Sequence, residues 1–276
     1  MIETGDSNFM LRLAIIILIF TTATFVNASL PANAAVPGGV VSIELTVPLT
    51  SVPSVMFNNH PIAVVKYNDS WHAVVGLPLS LKPGRHSIDV DGEAVTFKVI
   101  DKAYPEQRIT LKTRKHIDLS AADLARHRGE KVKAKKAFNT FDRGRIPDFV
   151  MLKPVEGPYS SPFGLKRFFN GQPRNPHSGL DIAAPTGTPI KVPAMGKVVL
   201  TGNFFFNGNV VYVDHGQGVV SMFCHLSKID VINGDLLNKG DVLGEVGATG
   251  RVTGPHLHWS LSLNNVRIDP MLMLRE

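Results

Sequence analysis

The amino-acid sequence predicts an all-β protein, in which a small N-terminal β-sandwich and a C-terminal antiparallel β-domain are separated by a short helical linker. Its aliphatic runs are short and separated by turns, which is typical of strands and not of a helix bundle. The composition, 44% hydrophobic and 19% charged, excludes a disordered chain and a collagen-like repeat. The single cysteine, Cys224, excludes an intramolecular disulfide framework and a cysteine-based zinc site. A bound metal would therefore need histidine and carboxylate ligands.

Residues 1–34 are predicted to be a signal peptide. Residues 13–26 form an apolar run that is short for a membrane span and suits the central region of a secretion signal. The sequence ANA at 32–34 fits the small-residue pattern of a cleavage site. A start at Met10 would give a better basic beginning, and an uncleaved membrane anchor is the alternative. We therefore expect a periplasmic or secreted bacterial protein that meets the membrane only through its leader before cleavage.

Residues 35–118 are predicted to form the N-terminal β-domain. Five strand-like segments lie between turns rich in glycine, proline, asparagine and aspartate. This many short strands in about 80 residues is typical of a small β-sandwich. The histidines of this region are isolated, so we expect no catalytic or metal site among them; they are His60, His72, His86 and His116.

Residues 119–149 are predicted to be a basic helical linker. Ser120 is a suitable N-cap, and Asp123 lies in the first turn of the predicted helix. The segment is polar and basic in a chain of net charge +6. Such a helix either contacts an anionic wall or membrane surface or is a solvated linker, and we favour the solvated linker. The second domain then covers residues 150–276.

Residues able to bind a metal occur in separate segments of the second domain. His256 and His258 alternate in a predicted strand, so both imidazoles project from one face, about 6–7 Å apart. His177 and Asp181 are separated by three residues that include a glycine. Two ligands from one segment and one from a distant strand make three protein ligands, which is the open arrangement of catalytic zinc.

A further histidine, His225, ends another predicted strand. If its side chain shares the cleft, it supplies an imidazole that can take up a proton near neutral pH. Cys224 precedes it in the strand, so it should face the opposite way as a small buried apolar residue. We interpret His215 as a hairpin-turn residue outside the site.

These segments resemble the lysostaphin/LytM-type zinc metallopeptidases, which cleave cross-links or bridges of peptidoglycan. The resemblance is carried by HSGLD at 177–181, FCHLS at 223–227 and GPHLHW at 254–259. It extends over roughly residues 155–272. One departure is Phe223, at a position where that family frequently has tyrosine.

The resemblance implies the roles of the site residues. By that family's pattern one Zn²⁺ per chain is held by His177, Asp181 and His258. His225 and His256 would be the two catalytic histidines. The family also implies an antiparallel β-fold with a narrow groove that bears the zinc, so the sequence predicts an exported peptidoglycan endopeptidase.

The resemblance further implies that the partner is a peptidoglycan stem peptide. The groove walls would be the loops at 164–176, 202–209 and 247–255. Basic residues of the first loop either pair with substrate carboxylates or only solvate the loop. These residues are Lys166, Arg167 and Arg174. A regulatory protein is a second candidate partner, and we expect no nucleic-acid partner.

Other classes of protein fit parts of the sequence. A non-catalytic wall-binding protein, or an activator of other wall hydrolases, could carry the same domain, although the complete histidine set argues against it. A biotinyl or lipoyl carrier domain would share hairpins such as 232–250, but Lys239 lacks the motif that flanks a modifiable lysine.

Overall fold

The computed structural model describes residues 29–110 and 120–274. Most of the predicted signal peptide and His116 therefore lie outside the described residues. Within the described ranges, no helix combines the length and apolar character needed to cross a bilayer. The described end of the predicted leader packs on the fold, since the Ala32 N–H donates to Leu272 O at 2.9 Å and the Ala34 N–H to Val40 O at 2.7 Å. Cleavage after Ala34, which would remove both hydrogen bonds, stays a prediction.

The described part of the N-terminal region, up to residue 110, is built from eight strands. They are β1 (Val40–Leu45), β2 (Val55–Phe57), β3 (His60–Pro61), β4 (Ala63–Tyr67), β5 (Ser70–Gly76), β6 (Gly84–Val90), β7 (Glu93–Val99) and β8 (Glu106–Ile109). The five strands expected from the sequence are β1, β4, β5, β6 and β7. The short β2, β3 and β8 were not expected, because segments of two to four residues carry too little alternation to be recognised.

Seven of these strands form two antiparallel sheets that enclose a core. One sheet has the order β1-β5-β4 and the other β3-β2-β6-β7. Alternate residues of both sheets point inward, including Ala73 and Val75 from the first and Phe57 and Ile88 from the second. The predicted small β-sandwich is thereby confirmed.

The helix α1 (Ala121–Phe138) lies between the two β-domains in the chain. Ser120 is its N-cap, and the Ser120 side chain accepts a hydrogen bond from the Asp123 N–H, as the sequence predicted. The end of the helix is not solvated, since Ala137 and Phe138 are buried against Tyr212 of the second domain. The Phe138 and Tyr212 rings meet edge to face, 5.1 Å apart.

Between residues 150 and 274, the C-terminal domain contains thirteen strands and one short 3-10 helix, Pro270–Met273. The strands are β9 (Tyr159–Ser161), β10 (Lys166–Phe169), β11 (Gln172–Pro173), β12 (Leu180–Ile182), β13 (Pro189–Lys191), β14 (Gly196–Phe204), β15 (Gly208–Gly216), β16 (Val219–Leu226), β17 (Lys228–Ile229), β18 (Leu236–Leu237), β19 (Val242–Glu245), β20 (Leu257–Leu263) and β21 (Val266–Ile268).

The main sheet of this domain runs in the order β18-β14-β15-β16-β20-β12-β9, with β21 paired to β20. All its neighbouring pairs are antiparallel. Fully buried Phe223 and Trp259 lie opposite each other on β16 and β20 and fill the core. The register also places Asp181 and Cys224 on either side of His258. The antiparallel β-fold that the sequence predicted is therefore confirmed.

The two β-domains share a core. Val65 and Val74 of the N-terminal sheet belong to the same buried cluster as Leu261 of β20. The Asn264 side chain bridges to the N-terminal domain, because its Oδ1 accepts from the Gly76 N–H at 2.6 Å and its Nδ2 donates to Gly76 O at 3.1 Å. In addition, β8 pairs in parallel with β10. The N-terminal domain is thus packed onto the C-terminal one.

Candidate metal centre and its flanking histidines

Two neighbouring strands and the loop before them position the three predicted metal ligands. Asp181 lies on β12 directly opposite His258 on β20, and His177 lies in the loop that leads into β12. Asp181 Oδ1 is 2.7 Å from His258 Nδ1 and 3.1 Å from His177 Nε2. The two ring nitrogens are 3.0 Å apart. Two side chains from one segment and one from a strand 77 residues further along therefore converge on one point.

The outer nitrogen of each ligand ring is held by a second partner. His177 Nδ1 lies 2.9 Å from Pro162 O, so this nitrogen carries the proton and Nε2 faces Asp181. His258 Nε2 lies 2.9 Å from the Ser260 hydroxyl, which in turn donates to Ser178 O at 3.0 Å. Such outer partners select the tautomer and orient the ring that binds a metal.

The electrostatics of the cluster favour an ionised carboxylate. Burial alone would raise the pKa of Asp181, but hydrogen bonds from His177 and His258, together with their charges, lower it well below the usual range. Burial lowers the pKa of His258, against the opposing effect of the Asp181 carboxylate. An ionised carboxylate is the state in which Asp181 could bind a divalent metal.

The donor set fits a zinc ion. The three ligand atoms all lie within 4.8 Å of one another, and both His177 and Asp181 are buried. A tetrahedral zinc with bonds of about 2.0–2.1 Å separates its ligand atoms by about 3.3 Å. The observed separations of 2.7–3.1 Å need only a small expansion to reach this value. Two nitrogens and one oxygen are also a ligand combination found at catalytic zinc sites.

The other two predicted site histidines lie beside this cluster. The His225 and His256 rings are 4.9 Å apart, and the His225 ring is 6.1 Å from that of His258. His256 Nε2 is 4.0 Å from Asp181 Oδ1. His225 Nδ1 lies 3.0 Å from Thr249 O and His256 Nδ1 lies 2.9 Å from Gly254 O. Both rings therefore donate the Nδ1–H to a backbone carbonyl, and the unprotonated Nε2 of each ring is available in the cleft.

His225 has an unusual backbone conformation. Its φ is +69°, a left-handed value that is uncommon for a residue with a side chain. The strand pairing of β15 with β16 is irregular at this end, between Asn209 and Val211. Burial, followed by the charge of His258, lowers the pKa of His225 to about 4, so the ring is neutral at neutral pH. Backbone strain of this kind concentrates at functional sites.

The structure brings together all five residues that the sequence singled out. Their roles as ligands and catalytic groups remain predictions. His215 lies elsewhere, and it is a fully buried strand residue, not a turn residue. Cys224 is buried beneath the site with its pKa raised to about 12 by burial.

Residues that support the site were missed by sequence reasoning. Ser260 follows His258 by two positions in a strand, so its place on the same face was readable from the alternation. Ser161 Oγ lies 3.3 Å from His177 Nδ1 and accepts from Arg167 at 2.9 Å. Of the basic residues expected on the groove wall, Arg167 therefore turns toward the back of the His177 ring, whereas Lys166 is exposed. Sequence spacing carries no signal for the Ser161 contact.

A two-domain β-protein with a His-Asp-His centre flanked by two histidines is the class that this geometry defines. Comparison with known proteins agrees with it. Residues 175–270 match peptidase family M23, and residues 33–102 match the peptidase family M23 N-terminal domain. A crystal structure from Pseudomonas aeruginosa described as peptidase M23 has a TM-score of 0.75 and 44% sequence identity, and the match covers 88% of this chain and 96% of that one.

Two curated relatives are similar over shorter stretches. The DD-carboxypeptidase/endopeptidase Mpg of Neisseria meningitidis is 38% identical over 112 residues, which are 41% of this chain and 26% of the relative. The peptidoglycan DD-endopeptidase ShyA of Vibrio cholerae is 43% identical over 96 residues, which are 35% of this chain and 22% of the relative. The matched part is thus about a quarter of the length of these relatives. The chain belongs to peptidase family M23, which confirms the resemblance found in the sequence.

Proposed function

We propose that this chain is an exported, zinc-dependent peptidoglycan endopeptidase that hydrolyses the DD cross-links between stem peptides. The observation that carries the proposal is the convergence of His177, Asp181 and His258 on one point, with His225 and His256 beside it, in a chain of this peptidase family. The names of the two curated relatives favour a DD cross-link, such as D-alanyl–diaminopimelate, over a glycine bridge.

Zinc would be held by His177 Nε2, Asp181 Oδ1 and His258 Nδ1. When bound, it supplies Lewis-acid activation of water and of the peptide carbonyl. The protein's own contribution is to keep these three atoms together before the ion arrives. Pro162 O and the Ser260 hydroxyl do this by holding the outer nitrogens of the two rings.

His225 and His256 would handle the protons of the reaction. Each ring donates its Nδ1–H to a backbone carbonyl, so each begins as a proton acceptor at Nε2. The ring that accepts a proton from the attacking water becomes a cation, which can donate to the oxyanion or to the leaving amine. Which of the two histidines does so is left open.

Digestion of purified peptidoglycan sacculi tests the proposal. The purified chain should convert cross-linked dimers to monomers, as separated by liquid chromatography, and a chelator should stop the reaction until zinc is restored. The His258→Ala variant should lose both bound zinc and hydrolysis. A matched control is His86→Ala, because His86 lies on β6 of the N-terminal domain, where its ring is half-buried beside Phe97 and bonds to Lys82 O at 2.8 Å. It should keep both properties.

Two outcomes would contradict the proposal. If the His258→Ala variant digested sacculi as well as the unaltered chain, the ligand assignment would be wrong. If the zinc-loaded chain left cross-links intact but stimulated a second wall hydrolase, the chain would be a non-catalytic activator. Fragment analysis also tests the bond, since loss of another linkage would exclude the DD cross-link.

A further inference from the structure

The helix α1 is joined to the wall of the site through a buried carboxylate. Glu130 is 8% exposed, although its neighbours in the helix are solvated lysines and arginines. Both of its carboxylate oxygens lie 3.0 Å from the Phe205 nitrogen and accept that N–H, and Oε1 also accepts from Arg126 Nε at 2.7 Å. Arg126 in turn donates to the side chain of Asn203 at 2.9 Å. One face of α1 is therefore bonded to the β14–β15 hairpin.

The hairpin turn held by Glu130 also holds His225. Phe205, Phe206 and Asn207 make up the turn, and Asn207 O accepts the backbone N–H of His225 at 2.8 Å. This is the residue with the left-handed φ of +69°. Only Phe206 thus lies between Phe205, whose N–H bonds to Glu130, and Asn207, whose carbonyl bonds to His225.

A second path runs through the Phe206 ring. His127 of α1 meets this ring edge to face at 4.7 Å, and the Arg251 guanidinium lies 5.3 Å from its centre. The backbone N–H of Arg251 donates to Phe206 O at 3.0 Å. The loop that carries Arg251 also carries Thr249, whose carbonyl accepts from His225 Nδ1. The acceptors of both hydrogen bonds therefore lie in the 205–207 turn or in a loop bonded to it, and α1 contacts that turn.

We propose that α1, through Glu130, is a positioning element for His225. The helix lies between the two matched family segments, 33–102 and 175–270, so neither match assigns it a role. In the unaltered chain Glu130 fixes the 205–207 turn, and the turn keeps the strained His225 backbone in register with the metal ligands. This inference rests on the proposed function only for its rate measurements, because the position of the His225 backbone can be measured without catalysis.

The test compares Glu130→Ala, Glu130→Gln and Asp123→Ala in the full chain. Glu130→Ala should lower kcat about 10- to 100-fold, the range expected when a catalytic group is misplaced by an ångström or less. KM and zinc content should stay unchanged, because the ligands lie on other elements. Glu130→Gln keeps a carbonyl acceptor and should recover most of the rate. Asp123→Ala removes an acid of the same helix whose side chain bonds to Ser120 at the N-terminal end of α1, and it should match the unaltered chain.

Hydrogen exchange of the His225 amide provides a readout independent of activity. Glu130→Ala should accelerate this exchange at least about tenfold, and Asp123→Ala should not. If Glu130→Ala lowers only the melting temperature, with kcat and His225 exchange unchanged, the positioning role is wrong. If the unaltered chain does not hydrolyse sacculi, the proposed function fails and the exchange alone decides the inference. If Glu130→Ala does not fold, the inference is tested with Glu130→Gln and with His127→Ala, in which the half-exposed His127 is replaced. Exchange of the His225 amide must then be faster in His127→Ala than in the unaltered chain.

Discussion

Replacement of Gly179 by alanine tests the metal centre without removing a ligand. A Cβ at this position would lie 2.7 Å from Cε1 and Nε2 of His258 and 2.7 Å from Oγ of Ser260. Ordinary contact between such atoms begins at about 3.5 Å, so the His258 ring or its strand must move by about 0.8 Å. The backbone of Gly179 does not have a positive φ, so the effect would come from space alone.

This displacement exceeds what a metal site tolerates. Ligand distances at a working site stay within about 0.2 Å of their ideal values, and changes just outside the ligands typically weaken binding 10- to 100-fold. We therefore expect Gly179→Ala to raise the Kd for zinc by about 10- to 100-fold, and to lower hydrolysis at limiting zinc in proportion. Competition with a chromogenic chelator measures the Kd, and the thermal unfolding midpoint shows whether the variant is folded.

Gly254→Ala is the matched control. It adds the same methyl group close to the site, but nothing lies within 4 Å of the added Cβ and φ is again not positive. Its zinc affinity should equal that of the unaltered chain. The reasoning is refuted if folded Gly179→Ala binds zinc with unchanged Kd, or if Gly254→Ala weakens binding equally.

Two further predictions concern stability. Burial lowers the pKa of His215 from 6.5 to about 4, so the native state holds the ring neutral. The contribution of His215 to the free energy of unfolding is therefore fully present above pH 6.5 and is lost as the pH falls toward 4. This loss amounts to about 3 kcal/mol. Urea unfolding of metal-free protein between pH 7 and 4.5 should show a smaller loss in His215→Gln, and an equal loss would contradict the assignment. Asn264→Ala removes both hydrogen bonds to Gly76 in the shared core and should lower the free energy of unfolding by about 2–3 kcal/mol, with both β-domains melting in one transition. Replacement of the exposed Lys98 by alanine should change this free energy little. Two separate transitions would show that the domains are independent.

Much of the fold was readable from the sequence because alternation in strands is a local property. The longer N-terminal strands and the antiparallel second domain were predicted, as were the Ser120 cap of α1 and the burial of Cys224. His215 was misread as a turn residue because a polar side chain beside glycines is usually exposed. Here the Ser221 hydroxyl lies 2.8 Å from its Nε2 and Met195 O lies 3.0 Å from its Nδ1, so the ring is satisfied in the core.

The packing of the linker helix α1 on the second domain could not be predicted from local patterns in the sequence. Its composition predicted a solvated segment, and its lysines are indeed exposed. Its contact with the second domain depends on Glu130 and on the buried Phe138, whose partners are more than 70 residues away in sequence. No spacing within the helix reveals such partners.

The sequence by itself determined which residues could bind a metal, because the residue types and the HxH alternation are written locally. It also determined the family, through motifs in three short segments. Only the tertiary structure decided which nitrogen of each ring faces Asp181, that His225 adopts a left-handed backbone, and that α1 braces the turn beside it. These features arise from strand register and from hydrogen bonds between segments far apart in the chain, which form only when the sheet is complete.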